Sequence, residues 1–437
     1  MLTYYFFLGL RSLKRNPALT ALMVLTLAIG VAASVSTLTI LHVMSGDPIP
    51  QKSDRLFTAI LDPGPKEGYT PGDEPNDHQF TYKDISNLLE SKQGVRRAAM
   101  YGIEATAEPA RKDLGAISME GLAVTADTFA MFEIPFVVGQ GWQASEDKSS
   151  ADVVVLSKKM AEKFFGTANP VGQKLRLLKG DFTVIGVADD WAPKPKFYIF
   201  NGREGAFVDA PDFLLPLSNA IRRETAHSGS MGCTSRQEPG WEGRLKSECT
   251  WLHFWFELKS PSQRADLQNY LDSYVAEQFK LGRFQRQAKN RLFNVREFLV
   301  EMQVIGDDSR LSAWLAFGFL LLCLVNTVGL LLAKFSVRAS EVGVRRALGA
   351  SRKEIFTQFL IETAVVGLVG ALLGVLLAVG ALQLIALQST ALAAVAHMDW
   401  AMLGLTFLMS VSAAMIAGLL PTWRACQVTP AIQLKSQ

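Results

Sequence analysis

Residues 311–333 read LSAWLAFGFLLLCLVNTVGLLLA, a stretch of 23 positions without Asp, Glu, Lys or Arg. Crossing a bilayer takes roughly 20 apolar residues. This run therefore predicts a transmembrane helix, with a buried core helix as the alternative. Three more windows lack those four residue types: 16–46, 363–396 and 401–423. The third is longer than one simple span needs, so a helix over 357–384 followed by an apolar loop is expected. For the first window the alternative is a cleaved signal peptide, since Arg11, Lys14 and Arg15 precede it. Signal-peptide apolar regions run only about 7–15 residues, and this window is longer. Composition points the same way: 49% of the 437 residues are apolar and 19% charged, few charges for a soluble protein.

Charge placement orients the spans. Arg11, Lys14 and Arg15 precede the first with no acid among them. Between the second and third lie Lys334, Arg338, Arg345, Arg346, Arg352 and Lys353 against Glu341, Glu354 and Glu362. Arg424 and Lys435 follow the fourth, while the loop before it carries Asp399 and no base. The expected order is a cytoplasmic segment 1–15, a span 16–46, a periplasmic domain 47–310 and a span 311–333. A cytoplasmic loop 334–356, a span 357–384, a short periplasmic loop 385–400, a span 401–423 and a cytoplasmic tail 424–437 follow. Both termini then face the cytoplasm.

The external segment mixes strand and helix signals and reads as an α+β domain. Residues 152–155 (DVVV) and 181–188 (DFTVIGVA) read as strands. Ser157 suits a helix N-cap, and Gly166 suits its stop. Residues 251–258 alternate: Leu252, Phe254, Phe256 and Leu258 are expected to face the core. Trp251, His253 and Trp255 point the other way and are expected to be covered by the same chain, with cover by a partner as the alternative. Ser260-Pro261 reads as a helix start, with Leu267, Tyr270, Leu271 and Tyr274 on one face. A strand follows at 291–295.

Catalytic chemistry is not legible. The nearest string to a phosphate-binding loop, Gly166 to Lys174, has the wrong spacing. Ser228 to Gly232 fails as a nucleophile elbow because its first position is not Gly. His42, His78, His227, His253 and His397 are scattered, and no metal site or cofactor is expected. Asp189-Asp190 and Asp307-Asp308 read as solvated turns. No basic-aromatic pattern suggests a nucleic-acid partner. The spans carry no acid or base at depth, and Glu362 is expected to be solvated near the interface. Proton or ion relays need such groups, so a self-powered transporter is disfavoured.

Residues 341–362 (EVGVRRALGASRKEIFTQFLIE) closely resemble the hallmark of the FtsX-like permeases of ABC transporters, especially the MacB macrolide-exporter type. Residues 153–166 (VVVLSKKMAEKFFG), 169–175 (NPVGQKL) and 182–187 (FTVIGV) look like that family's periplasmic core domain. Residues 418–425 (GLLPTWRA) and 428–434 (VTPAIQL) look like its C-terminal signature. Only 194–249 lacks a clear match. The resemblance implies a fold of four transmembrane helices and an α+β external domain with porter-like and inserted distal parts. It implies a permease that is not itself an enzyme, and a second permease, the same chain or a paralogue. ATP and Mg would be bound by a separate ABC ATPase subunit. It also implies a multi-pass place in a bacterial inner membrane, mechanotransmission, an efflux role, and service by a periplasmic adaptor and outer-membrane channel. Lipoprotein extraction, regulation of a periplasmic enzyme, or a receptor role are the competing readings.

Three sets of residues are singled out. The loop 334–356 is expected to receive force from the ATPase: Glu341, Arg345 and Arg346 through charge, and Gly349, Ser351 and Glu354 through a sharp capped joint. The bland alternative is that the arginines only anchor lipid headgroups. Following the family, Gly30, Ala32, Ala33 and Ser34 on the first span and Gly318 and Asn326 on the second are expected at the dimer interface. Gly370 and Gly374 make a GxxxG that internal packing would explain equally well. Cys233 and Cys249 are expected to form a disulfide, with free buried thiols as the alternative; Cys323 and Cys426 should stay reduced.

Overall fold

The computed structural model describes residues 2–72, 78–109, 111, 113–200, 202–233, 238–286, 289–304, 306–388, 393 and 400–427. Asp399, Lys435, the 428–434 signature and most of the 385–400 loop lie outside the described residues. The chain divides into two compact units, 46–304 and 1–45 with 305–437.

Among its described residues, the second of these holds four helices long and apolar enough to span a membrane: Pro17–Met44, Arg310–Ser336, Arg352–Ala386 and Trp400–Cys426. They are called here the first to fourth membrane helices. A chain this apolar cannot bury all its surface in water, and the outer positions Trp314, Leu315, Leu321, Leu322 and Val325 of the second helix are exposed. Small residues set the internal packing. A Cβ on Gly30 would lie 2.9 Å from the Cβ of Cys323, and one on Gly370 3.1 Å from Leu27. One on Gly418 would lie 2.5 Å from Thr363. The first helix thus packs on the second and third, and the fourth on the third. The Gly370/Gly374 pair is internal packing.

The segment before the first membrane helix, left unassigned by sequence, is itself a helix, Leu2–Arg15. Its Gly9 and Ser12 are buried, while Tyr4, Phe6, Phe7, Leu10, Arg11, Lys14 and Arg15 are exposed. A Cβ on Gly9 would stand 3.0 Å from Val365 of the third membrane helix, so the glycine lets the two helices touch.

The other unit is built on β1 (Leu56–Ile60), β2 (Phe80–Thr81), β3 (Arg96–Glu108), β4 (Ile117–Val124), β5 (Phe136–Gly139) and β6 (Val153–Ser157). Then come β7 (Lys174–Leu177), β8 (Gly180–Ala188), β9 (Phe213–Pro216), β10 (His227–Ser228), β11 (Thr250–Glu257) and β12 (Arg291–Asn294). The order is β12-β1-β11-β3-β4-β9-β6-β8-β5, with β10, β2 and β7 pairing off this path. β6 runs parallel to β8 and β4 parallel to β9, while β3 and β4 form a long antiparallel pair from Met100↔Val124 to Ala107↔Ile117. The sheet runs through the whole unit.

Every residue of β11 is buried. One face joins the main core with Leu252, Phe254 and Phe256. On the other, Trp255 packs its ring 5.3 Å from Phe197 and donates from Nε1 to the Tyr198 carbonyl at 3.1 Å. The residues around 197–200, within the stretch that sequence could not match, are that cover. Ser157 caps the helix Lys158–Phe165 through the Met160 amide, and Gly166 follows with φ 62°. The Ser260-Pro261 reading needs correction. A 3-10 turn, Pro261–Gln263, comes first, Ser260 makes no side-chain cap, and the α-helix is Arg264–Lys280.

Candidate coupling site

Between the second and third membrane helices lies a short helix, Ala339–Ala347, followed by Leu348 at its C-cap. Gly349 then takes φ 101°, a left-handed conformation that a Cβ would oppose. Ser351 restarts the chain. Its hydroxyl accepts from the Glu354 amide at 3.2 Å, and its amide donates to Glu354 Oε2 at 2.8 Å. This reciprocal cap begins a single helix of 35 residues that continues as the third span.

Glu341, Arg345 and Arg346, expected to meet the ATPase through charge, are also engaged within the chain. Glu341 accepts from Arg345 at 2.6 Å and from Arg15 at 2.9 Å. Arg345 also donates to Gln358 Oε1 at 2.9 Å, and Arg346 to the Cys426 carbonyl at 3.4 Å. Apolar side chains also face outward: Leu348 is 83% exposed, Val337 70% and Val344 52%, alongside the exposed Ser340, Arg352 and Lys353. Val344 and Leu348 are four residues apart, on one face of the helix. The charge-led reading passed over this spacing, which was the available signal.

A second correction concerns Glu362. It is buried, not solvated, with its side chain 4% exposed and Lys334 at 0%. Lys334 Nζ lies 2.9 Å from Glu362 Oε1, and Arg338 Nη1 bridges both carboxylate oxygens at 3.0 and 2.9 Å. Ser12 donates to the same carboxylate and accepts from Arg338 Nη2 at 2.9 Å. No sequence pattern announces this cluster, because its four members come from the Leu2–Arg15 helix, the end of the second membrane helix, the turn after it and the third membrane helix.

The dimer candidates separate. Gly30 is used within the protomer against Cys323, and Ala32 and Ser34 are buried, Ser34 donating to the Ala316 carbonyl at 3.0 Å. Those three cannot present a surface to a second copy, and Ala33 is half-buried. Gly318 and Asn326 are exposed. They share a face with Leu311, Leu315, Leu322, Val325 and Gly329, a stripe repeating at alternate steps of four and three.

In the other unit, Cys233 and Cys249 are joined by a disulfide, and Cys323 and Cys426 are free and buried. A cleft of about 390 Å³ opens between the helices Tyr82–Glu90, Ala144–Ser149 and Leu217–Arg222. Its wall includes Ile85, Leu89, Leu217 and Asp147. Burial pushes the Asp147 carboxyl up to about 6, although the Ala126 amide and Trp142 Nε1 donate to it. Two of the scattered histidines meet: the His78 and His253 rings stand 5.8 Å apart, and burial holds His253 well below its usual value.

These features define a multi-pass membrane protein with a large α+β domain and a capped joint between two spans. A family model described as MacB-like periplasmic core domain matches residues 20–274, and one described as FtsX-like permease C-terminal matches 313–430. The chain belongs to that family of permeases. It is 22% identical over 83% of its length to the macrolide export ATP-binding/permease protein MacB of Rhodopirellula baltica, covering 52% of that protein. It is 24% identical over 70% of its length to the pyoverdine export ATP-binding/permease protein PvdT of Pseudomonas syringae pv. syringae, covering 41%. The chain thus spans about half or less of the length of these relatives. The periplasmic region of MacB from Actinobacillus actinomycetemcomitans aligns with a TM-score of 0.35 at 13% identity, over 56% of this chain and 92% of that one.

Proposed function

We propose that this chain is the permease component of an ABC efflux system, driven by an ATP-binding partner that docks on the Ala339–Ala347 helix. The observation that carries the reading is the joint at Gly349 to Glu354. A short helix with an exposed apolar face turns at Gly349 into a reciprocally capped helix of 35 residues, and Arg345 donates across the joint to Gln358 at 2.9 Å. Displacement of the short helix is delivered along a rigid rod rather than lost in a flexible linker. ATP and Mg belong to the partner in this reading, and motion passed to the large domain moves substrate outward. The relatives' printed names support export. A second permease, a periplasmic adaptor and an outer-membrane channel are proposed with it.

Docking is assigned to Val337, Val344 and Leu348 rather than to the paired charges. Burying exposed apolar side chains favours association at about 25 cal/mol per Å². The test is co-purification of the full chain from membranes with its ATP-binding partner, followed by ATPase assay. Leu348→Asp should lose at least 80% of the partner while insertion is normal. Retention of the partner together with normal ATP-dependent transport would sink the docking assignment.

A further inference from the structure

We propose that Glu362 is a positioning residue that makes the Leu2–Arg15 helix part of the coupling apparatus, through one buried node of Ser12, Lys334, Arg338 and Glu362. The inference rests on the coupling reading above and adds a moving part to it.

The geometry is specific. Two stretches of chain far apart in sequence, one holding Ser12 and one holding Lys334 and Arg338, converge on one carboxylate from the third membrane helix. Lys334 closes the second membrane helix, Arg338 opens the turn into the short helix, and Ser12 comes from the N-terminal helix. Ser12 is bonded twice, donating to Glu362 and accepting from Arg338. All four side chains are buried. Two cations face one carboxylate, and Arg338 Nε has no hydrogen-bond partner among the described residues. Such a cluster is poor as a pure stabiliser, because buried ion groups repay their desolvation only when fully bonded. Their directional bonds do fix the mutual placement of the elements that bring them together.

Two contacts reinforce the node. Gly9 lets the N-terminal helix touch Val365, and Arg15 pairs with Glu341. The Arg15 pair is exposed, and exposed pairs are weak and screened. The buried node is therefore the main anchor. A push on the Ala339–Ala347 helix then carries the N-terminal helix with it, along with its exposed face of Tyr4, Phe6, Phe7 and Leu10.

The test is pulsed EPR on the full chain in lipid nanodiscs, with spin labels placed as non-natural amino acids at Tyr4 and Ser340, so the native cysteines stay. The wild-type distance distribution should be narrow. Ser12→Ala removes the N-terminal arm without unpairing a charge and should at least double the width. Glu362→Gln should do the same, and Glu362→Asp should restore most of the narrowness, a graded response that mere loss of stability would not give. A control pair at Ser340 and Lys353, across the capped joint, should stay narrow throughout. If Glu362→Gln does not insert, Ser12→Ala decides alone. A narrow Tyr4–Ser340 distribution in Ser12→Ala overturns the proposal. Leu348→Asp should lose the ATP-binding partner without broadening, so retained partner with a broadened node variant would count against the coupling reading and leave the node standing.

Discussion

At the residue scale, the charged groups mattered most and misled most. Glu362 lies at the edge of an apolar window in sequence and looks solvated there. Only the fold brings Lys334 and Arg338 to it. Leaving a buried charge without its partner costs about 3–5 kcal/mol. Glu362→Gln is accordingly expected to lower thermal stability in detergent sharply. Combined replacement of Lys334, Arg338 and Glu362 by Met and Leu should recover most of that loss, because well-packed apolar substitutes are often neutral. If Glu362→Gln melts like wild type, the cluster is not buried as described. Asp147 gives a pH-dependent prediction. Its carboxyl titrates near 6 when folded, against a usual 3.8, because burial disfavours the charge. The stability it contributes is thus fully present below about pH 4 and is lost as pH rises through 6, a difference on the order of 3 kcal/mol. Melting curves at pH 4.5 and 7 should show a smaller gap in Asp147→Asn than in wild type, and an unchanged gap would refute the assignment.

At the scale of elements, the periodic and punctuated segments were legible. The Ser157 cap, the buried β11 and the Ser351 capping box follow from local residue choices. What sequence missed was set by partners: the N-terminal helix needs the third membrane helix to bury Gly9 and Ser12. The inner position of Gly30 was equally invisible, since a small residue suits a contact within a protomer or between two. The second membrane helix carries the remaining interface prediction. Single cysteines at Gly318, Leu322 or Val325 should cross-link between copies in native membranes, whereas one at Gly30 should not. Absence of any cross-link along that stripe would leave those residues to lipid. At the joint, Gly349→Val forces a β-branched residue into a left-handed conformation, at a cost on the order of 1–3 kcal/mol. Ser351→Ala removes a cap worth about 1 kcal/mol. Both should lower transport per ATP hydrolysed while insertion persists, and unaffected coupling in both would argue against a rigid joint.

At the scale of the whole molecule, the open question is which compartment each unit faces, and the cysteines provide a readout independent of charge counting. The basic bias before the first span and between the second and third predicts a cytoplasmic side for those segments. It predicts a periplasmic side for the domain between the first two spans, where disulfides form and persist. The structure joins Cys233 to Cys249 in that domain and leaves Cys323 and Cys426 free in the other unit. The bridge closes a loop with a sequence separation of 16, for which the chain-entropy estimate is about 3 kcal/mol. Thiol labelling of the full chain, denatured without reductant, should therefore count two reactive cysteines, and four after reduction. A reporter active only outside the cytoplasm should work when inserted near Gly240 and fail when fused at Gln437. The two assays constrain each other. Four free thiols together with an active reporter at Gln437 would invert the topology and place the Ala339–Ala347 helix beyond the reach of cytoplasmic ATP. Four free thiols with the expected reporter pattern would reject only the disulfide, leaving the coupling site on the side where an ATP-binding partner can reach it.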